Sequence, residues 1–292
     1  MTTLPFKTVD VFTRVPFQGN PVAVVFDAGA LSTAQMQQIA RWTNLSETTF
    51  VVPVTAAGAD YHLRIFTPGA ELPFAGHPTI GTAHALLEAG LIAPTDGVLL
   101  QQCKAGLIGL TVSVDDDGER AIAFTLPAAR ISALAPAAAL ELQALLGADC
   151  AIVGTPQLVD VGPRWVVAQL QSASAVLACV PDLQRMKLFD TNGGHTGVTL
   201  FGPHAPGHAS AIEVRAFAPA HGIAEDPVCG SGNGAIAAFI RHSGQRARFG
   251  ADLLASQGAV VGRAGLIRLS ISQAAIGVGG HAVTCVDGSL RL

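Results

Sequence analysis

The 292-residue chain is poor in charge: Asp, Glu, Lys and Arg make up 13% of it, and the formal balance is −4. No positive surplus is available to gather phosphates from nucleic acid or anionic lipid, so neither is expected as a partner. Cysteines are few and scattered. Cys103, Cys150, Cys179, Cys229 and Cys285 are an odd set with no CxxC pair, which reads as buried thiols, not as a disulfide frame or a zinc cage. His204 and His208 are four residues apart, but Ala205-Pro206-Gly207 forbids the helix that would put both imidazoles on one face, so no metal site is expected.

Long apolar runs are also missing, although half of the residues are hydrophobic. A membrane span needs about 18 to 20 apolar residues without charge. Residues 165–181 are interrupted by Gln169, Gln171, Ser172 and Ser174, and residues 269–286 by Ser270, Ser272, Gln273, His281 and glycines. The start, MTTLPFKTVDVF, lacks a basic region followed by an apolar run, so no signal peptide is read and a cytoplasmic location is expected.

What the chain does contain is a repeat, and apolar residues enough for two cores. RIFTPGAELPFAGHPTIGTAHALLEAG, from Arg64 to Gly90, aligns with RAFAPAHGIAEDPVCGSGNGAIAAFIRHSG, from Arg215 to Gly244. Arg64, Phe66 and Pro68 match Arg215, Phe217 and Pro219; after three inserted residues, Glu71, Pro73, Gly76 and Gly90 match Glu225, Pro227, Gly230 and Gly244. Upstream, Val9-Asp10-Val11 falls over Val159-Asp160-Val161, and Phe50 with Pro53 over Leu200 and Pro203. Two copies of one domain are expected, residues 1–127 and 128–280. A ligand cleft is expected between their equivalent loops.

Each copy reads as several strands followed by one buried helix. In the first, residues 8–12, 21–26, 48–53 and 61–66 are β-rich, and 33–42 is a helix capped by Ser32. TIGTAHALLE, residues 79–88, and its partner GNGAIAAFI are apolar almost all round, so both helices must be buried on most sides. The expected architecture is α+β, a curved sheet wrapped around a central helix, twice over. Residues 108–114 and 121–126 form a hairpin, 130–146 reads as a helix, and Gly277 to Gly280 reads as a break.

Both central helices open on a glycine turn, Ala75-Gly76-His77-Pro78 and Cys229-Gly230-Ser231-Gly232. The first N–H groups of a helix lack intrahelical partners and sit at the positive end of its dipole, so such a turn can hold a carboxylate. Asp226 stands where the first copy has Leu72, so the duplicated framework itself needs no carboxylate there. Glu47, at the mouth of an apolar strand, is either a cap or an acid–base group, since apolar neighbours raise a carboxyl pKa towards neutrality. His77 is either a cap or a hydrogen-bond donor or acid. Cys229, at a helix N-terminus, is expected to favour its thiolate as base or nucleophile; its counterpart is Ala75.

GNPVAVV at Gly19–Val25, LSETTFV at Leu45–Val51, LPFAGHPTIGTAHAL at Leu72–Leu86 and EDPVCGSGNGA at Glu225–Ala235 resemble the phenazine-biosynthesis isomerase (PhzF-like) family. The resemblance spans nearly the whole chain in order. It implies the diaminopimelate-epimerase-like fold, with the C-terminal strand, about residues 281–292, completing the first domain, and a homodimer. It also implies a cofactor-free isomerase acting on a small carboxylate, with catalytic Glu47, His77 and Asp226, and substrate held by Gly76, Gly230 and Ser231; Cys229, beside that turn, is expected to touch the substrate as well. CGSG at Cys229 departs from the threonine of many such chains and looks like the second cysteine turn of diaminopimelate epimerases and proline racemases. Two alternatives therefore remain: an amino-acid or hydroxy-acid epimerase using Cys229, and a catalytically silent carboxylate-binding chain.

Overall fold

The computed structural model describes residues 2–292. The chain divides into two compact units, one holding the residues up to Phe124 together with Gly279–Leu292, the other Thr125–Val278.

In the first unit, β1 (Thr3–Val11), β2 (Asn20–Val25), β3 (Glu47–Val52), β4 (Tyr61–Phe66), β5 (Glu71–Leu72), β6 (Val98–Cys103), β7 (Gly106–Val114) and β8 (Arg120–Thr125) accompany helices α1 (Thr33–Thr43) and α2 (Gly76–Glu88). Strands β2 and β3 pair parallel, as do β4 and β6, while β1–β2, β3–β4, β6–β7 and β7–β8 pair antiparallel. Helix α1 supplies the parallel β2–β3 crossover. Its N-cap Ser32 forms a reciprocal capping box with Gln35, and it stops at Asn44, whose left-handed backbone turns the chain into β3. Helix α2 is buried from Gly76 through Leu87 except at His84, which is half-buried. It packs on β1, β2 and β3. A β-carbon on Gly81 would strike Val22 and lie 2.9 Å from Val11, so glycine brings this helix down onto the sheet.

The second unit repeats the plan with β9 (Arg130–Ala133), β10 (Ile152–Asp160), β11 (Arg164–Leu170), β12 (Gly197–Pro203), β13 (Ile212–Ala218), β14 (Ile223–Asp226), β15 (Asp252–Gln257), β16 (Gly265–Ile271) and β17 (Ile276–Gly280). Helices α3 (Pro136–Leu146), α4 (Ala173–Ala178), α5 (Leu183–Gly193), α6 (Gly230–His242) and α7 (Arg246–Phe249) accompany them. The same order of pairings returns: β10–β11 antiparallel, β11–β12 parallel, β12–β13 antiparallel, β13–β15 parallel and β15–β16 antiparallel. Helix α6 takes the place of α2, packed on β10, β11, β12 and β16. The chain then returns to the first unit as β18 (Ala282–Arg291), antiparallel to β1.

One ion pair is duplicated with the fold. Arg64 binds Glu71 at 2.7 Å and lies over the Phe66 ring at 5.2 Å; Arg215 binds Glu225 at 2.7 Å and lies over Phe217 at 4.9 Å.

Three expectations need correction. Residues 130–146 are not one helix: Pro136 sits at the helix start and restricts the residue before it to extended backbone, so Arg130–Ala133 is free to pair with β10. Gly277–Gly280 is not a break but strand β17, where a β-carbon on Gly279 would lie 2.5 Å from that of Ala123. The two central helices begin at Gly76 and Gly230, so the glycine turns are themselves the first helical turns; Pro78 is tolerated there because no intrahelical bond needs its N–H.

Candidate active site

Glu47 opens β3, three residues beyond the left-handed cap of α1, and lies opposite Val22 of β2. His77 is the second residue of α2. The structure brings the two together: Nε2 of His77 is 3.3 Å from Oε2 of Glu47, both side chains being largely buried. Burial drives the imidazole pKa down to about 3, only partly offset by a hydrogen bond to the Pro21 carbonyl. Burial thus keeps His77 in its neutral form. A carbonyl can only accept, so the ring proton sits on the nitrogen facing Pro21 and Nε2 presents a lone pair to Glu47.

Gly76 begins α2 where a β-carbon would lie 2.6 Å from the Phe124 ring, itself in edge contact with Phe74 at 5.4 Å. The first intrahelical bond runs from the Thr79 N–H to the Ala75 carbonyl, and Pro78 has no N–H, so two donors remain ahead of it, on Gly76 and His77.

In the second unit Asp226 ends β14 and accepts from the Val228 N–H through Oδ1 at 3.3 Å. Cys229 caps α6, its Sγ accepting from the Gly232 N–H at 3.3 Å. The Asn233 N–H makes the first bond, to the Cys229 carbonyl, which leaves the Gly230 and Ser231 N–H groups ahead of it. The Ser231 hydroxyl accepts from Nε1 of Trp165 at 3.0 Å. Gln257, 1% exposed, laces the turn: it accepts from the Cys229 N–H at 3.0 Å and from Asn233 Nδ2 at 2.8 Å, and donates to the Asp226 carbonyl at 2.8 Å.

The expectation of a Cys229 thiolate is overturned. Burial, reinforced by the neighbouring Asp226 carboxylate, pushes the thiol pKa well above its usual value, and these outweigh the helix N–H and the Ser231 hydroxyl that favour the anion. His204 and His208 meet through a turn rather than a helix, their rings stacked 3.8 Å apart.

Sequence reasoning missed Trp165 and Gln257. Gln257 was detectable as the polar member of the alternating register Leu253, Ala255, Gln257 in the strand DLLASQ, and Trp165 as one of only two tryptophans, near the head of β11.

The fold is α+β with two copies of one strand–helix plan, and similarity to full-length relatives named as isomerases makes the chain an isomerase. The chain belongs to the phenazine biosynthesis-like protein family, whose model matches residues 9–288. It is 43% identical to antisense-enhancing sequence 1 of Schizosaccharomyces pombe over 99% of each chain. It is 36% identical to trans-2,3-dihydro-3-hydroxyanthranilate isomerase of Pseudomonas fluorescens, over 98% of this chain and 99% of that one. Among solved structures, the PhzF-family protein of Bacillus anthracis superposes with a TM-score of 0.83 at 23% identity over the full length of both chains. No helix among the described residues is long and apolar enough to cross a membrane.

Proposed function

We propose that this isomerase works without a cofactor on a small carboxylate, Glu47 taking a proton from one carbon and returning it at another while the double bond shifts. The observation that carries this reading is the contact between Glu47 and a neutral His77. When Glu47 holds the substrate's proton, the bare Nε2 accepts a hydrogen bond from its O–H, so the protonated carboxyl stays oriented until the proton is returned. The Gly230–Ser231 turn holds the carboxylate, and Asp226 engages the substrate's other polar groups. Gly76 brings the N-terminal donors of α2 close to the ligand. A relative that shares the full length is named for the isomerisation of a cyclic amino-carboxylate, trans-2,3-dihydro-3-hydroxyanthranilate, which makes that compound the first substrate to test.

Cys229 as an epimerase base is disfavoured by its buried, protonated thiol and by Ala75 at the matching position. A homodimer in the cytoplasm completes the proposal.

Turnover of trans-2,3-dihydro-3-hydroxyanthranilate, followed by NMR, tests it. Asp226→Asn is expected to lower kcat/KM by about 100-fold or more, as for loss of a group acting on the transition state. Asp160→Asn, which loses only an ion pair to the exposed Arg130, stays close to wild type. Equal effects in the two variants would reduce Asp226 to a structural residue.

A further inference from the structure

The two units differ at one pair of facing strand positions. In the first, Val22 of β2 lies opposite Glu47 of β3; in the second, Trp165 of β11 lies opposite Gly197 of β12. A β-carbon at Gly197 would strike the Phe217 carbonyl oxygen and lie 2.9 Å from the Trp165 ring, so nothing larger than glycine fits where the first unit carries Glu47. The bulk has moved one strand over. Trp165 is 3% exposed, and its indole nitrogen lies 3.0 Å from the Ser231 hydroxyl. His77 and Ser231 are each the second residue of their central helix. Each unit thus sends one side chain from this strand pair onto the same helical position: Glu47 onto His77, and Trp165 onto Ser231.

An indole nitrogen donates and never accepts, so it occupies a lone pair of Ser231 Oγ and leaves the hydroxyl hydrogen to be given elsewhere. The competing neighbour is the Cys229 sulfur at 3.7 Å, a weak acceptor. We propose that Trp165 is a positioning residue that fixes the Ser231 hydroxyl as a donor, selecting a carboxylate oxygen over any group that must itself donate. This rests on the reading that the Gly230–Ser231 turn binds the substrate carboxylate.

The test uses Trp165→Phe, which keeps an aromatic ring and removes the N–H, together with Ser231→Ala and the double variant. The ligand probe is 3-hydroxyanthranilate, followed by calorimetry, and the assay substrate is trans-2,3-dihydro-3-hydroxyanthranilate. Loss of one hydrogen bond to a charged group is expected to weaken probe binding about tenfold in Trp165→Phe, with KM raised and kcat little changed. Ser231→Ala should weaken it at least as much, and the double variant no more than Ser231→Ala alone, because both changes remove one interaction. A Trp165→Phe variant that binds like wild type while Ser231→Ala is weakened overturns the positioning role and leaves the carboxylate turn standing. So does an additive double variant. A Ser231→Ala variant that binds like wild type, or a wild type that does not bind the probe, overturns the turn and the positioning role together.

A second readout covers a Trp165→Phe variant that fails to fold. The only other tryptophan, Trp42, is 77% exposed, so the two indole N–H resonances are distinguishable by solvent exchange. Ser231→Ala should shift the protected indole resonance and leave that of Trp42 in place. An unmoved Trp165 resonance overturns the proposal.

Discussion

Nε2 of His77 and Oε2 of Glu47 stand 3.3 Å apart in a buried setting that holds the imidazole neutral, its pKa at about 3. The ring should therefore keep one tautomer, protonated on the nitrogen facing Pro21, from pH 5 to 8. Ring 15N shifts check this; a His77 titration near 6.5 would contradict it. Because the folded pKa lies below the unfolded one, the unfolded chain binds more protons in acid. His77 therefore makes stability fall as pH drops from about 6.5 towards 3. His77→Asn should flatten that acid limb and lower kcat/KM by roughly 10- to 100-fold, as for loss of the group that orients the Glu47 carboxyl.

Cys229 caps α6 as a thiol. Serine caps a helix at least as well, so Cys229→Ser should keep its melting temperature and stay within about tenfold of wild-type kcat/KM. Iodoacetamide at neutral pH should leave Cys229 unlabelled by mass spectrometry, because the residue is 3% exposed and protonated. A dead Cys229→Ser variant with rapid labelling of the native cysteine would restore the epimerase reading.

Asp190 on α5 is fully buried, neither carboxyl oxygen has a hydrogen-bond partner, and burial raises its pKa to about 7. The folded chain keeps this proton after the unfolded chain has lost it, so Asp190 makes stability fall as pH rises from about 4 to about 7 and level off above. Asp190→Asn should gain on wild type across that window in urea melts, by on the order of a few kcal/mol at most. A constant difference from pH 4 to 8 would contradict the assignment.

Gly81→Ala tests the seating of α2. Alanine is the better helix former, yet its β-carbon collides with Val22 and Val11, so a loss of about 1 to 3 kcal/mol in denaturant unfolding is expected. A stabilised variant would show that the helix is not held this close to β1 and β2.

The duplication was legible because it rests on local spacing. Arg64 and Arg215 each reach a glutamate a few residues along the same β-hairpin, and Ser32 announces α1 within one turn. Glu47, His77, Asp226, Cys229, Gly230 and Ser231 stood out for a related reason, since they sit at strand mouths and helix starts where the chain carries its own markers. Other features depend on residues far apart in sequence. Trp165 meets Ser231, and Gln257 meets Asp226 and Cys229, only after the sheet has closed on α6. The protonation state of Cys229 was misjudged for the same cause: a helix N-terminus is visible locally, whereas the burial that outweighs it comes from the whole fold.

The role of Glu47 is tested most directly by running wild type and Glu47→Gln on trans-2,3-dihydro-3-hydroxyanthranilate in deuterated water, with deuterium located by NMR. Wild type should move the double bond and place hydrogen, or solvent deuterium after exchange on Glu47, at the new carbon. Glu47→Gln should still bind 3-hydroxyanthranilate but lose turnover by about 1,000-fold or more, because an amide cannot carry the proton. A Glu47→Gln variant within about tenfold of wild type, or deuterium confined to an inverted carbon with the double bond unmoved, would contradict the account.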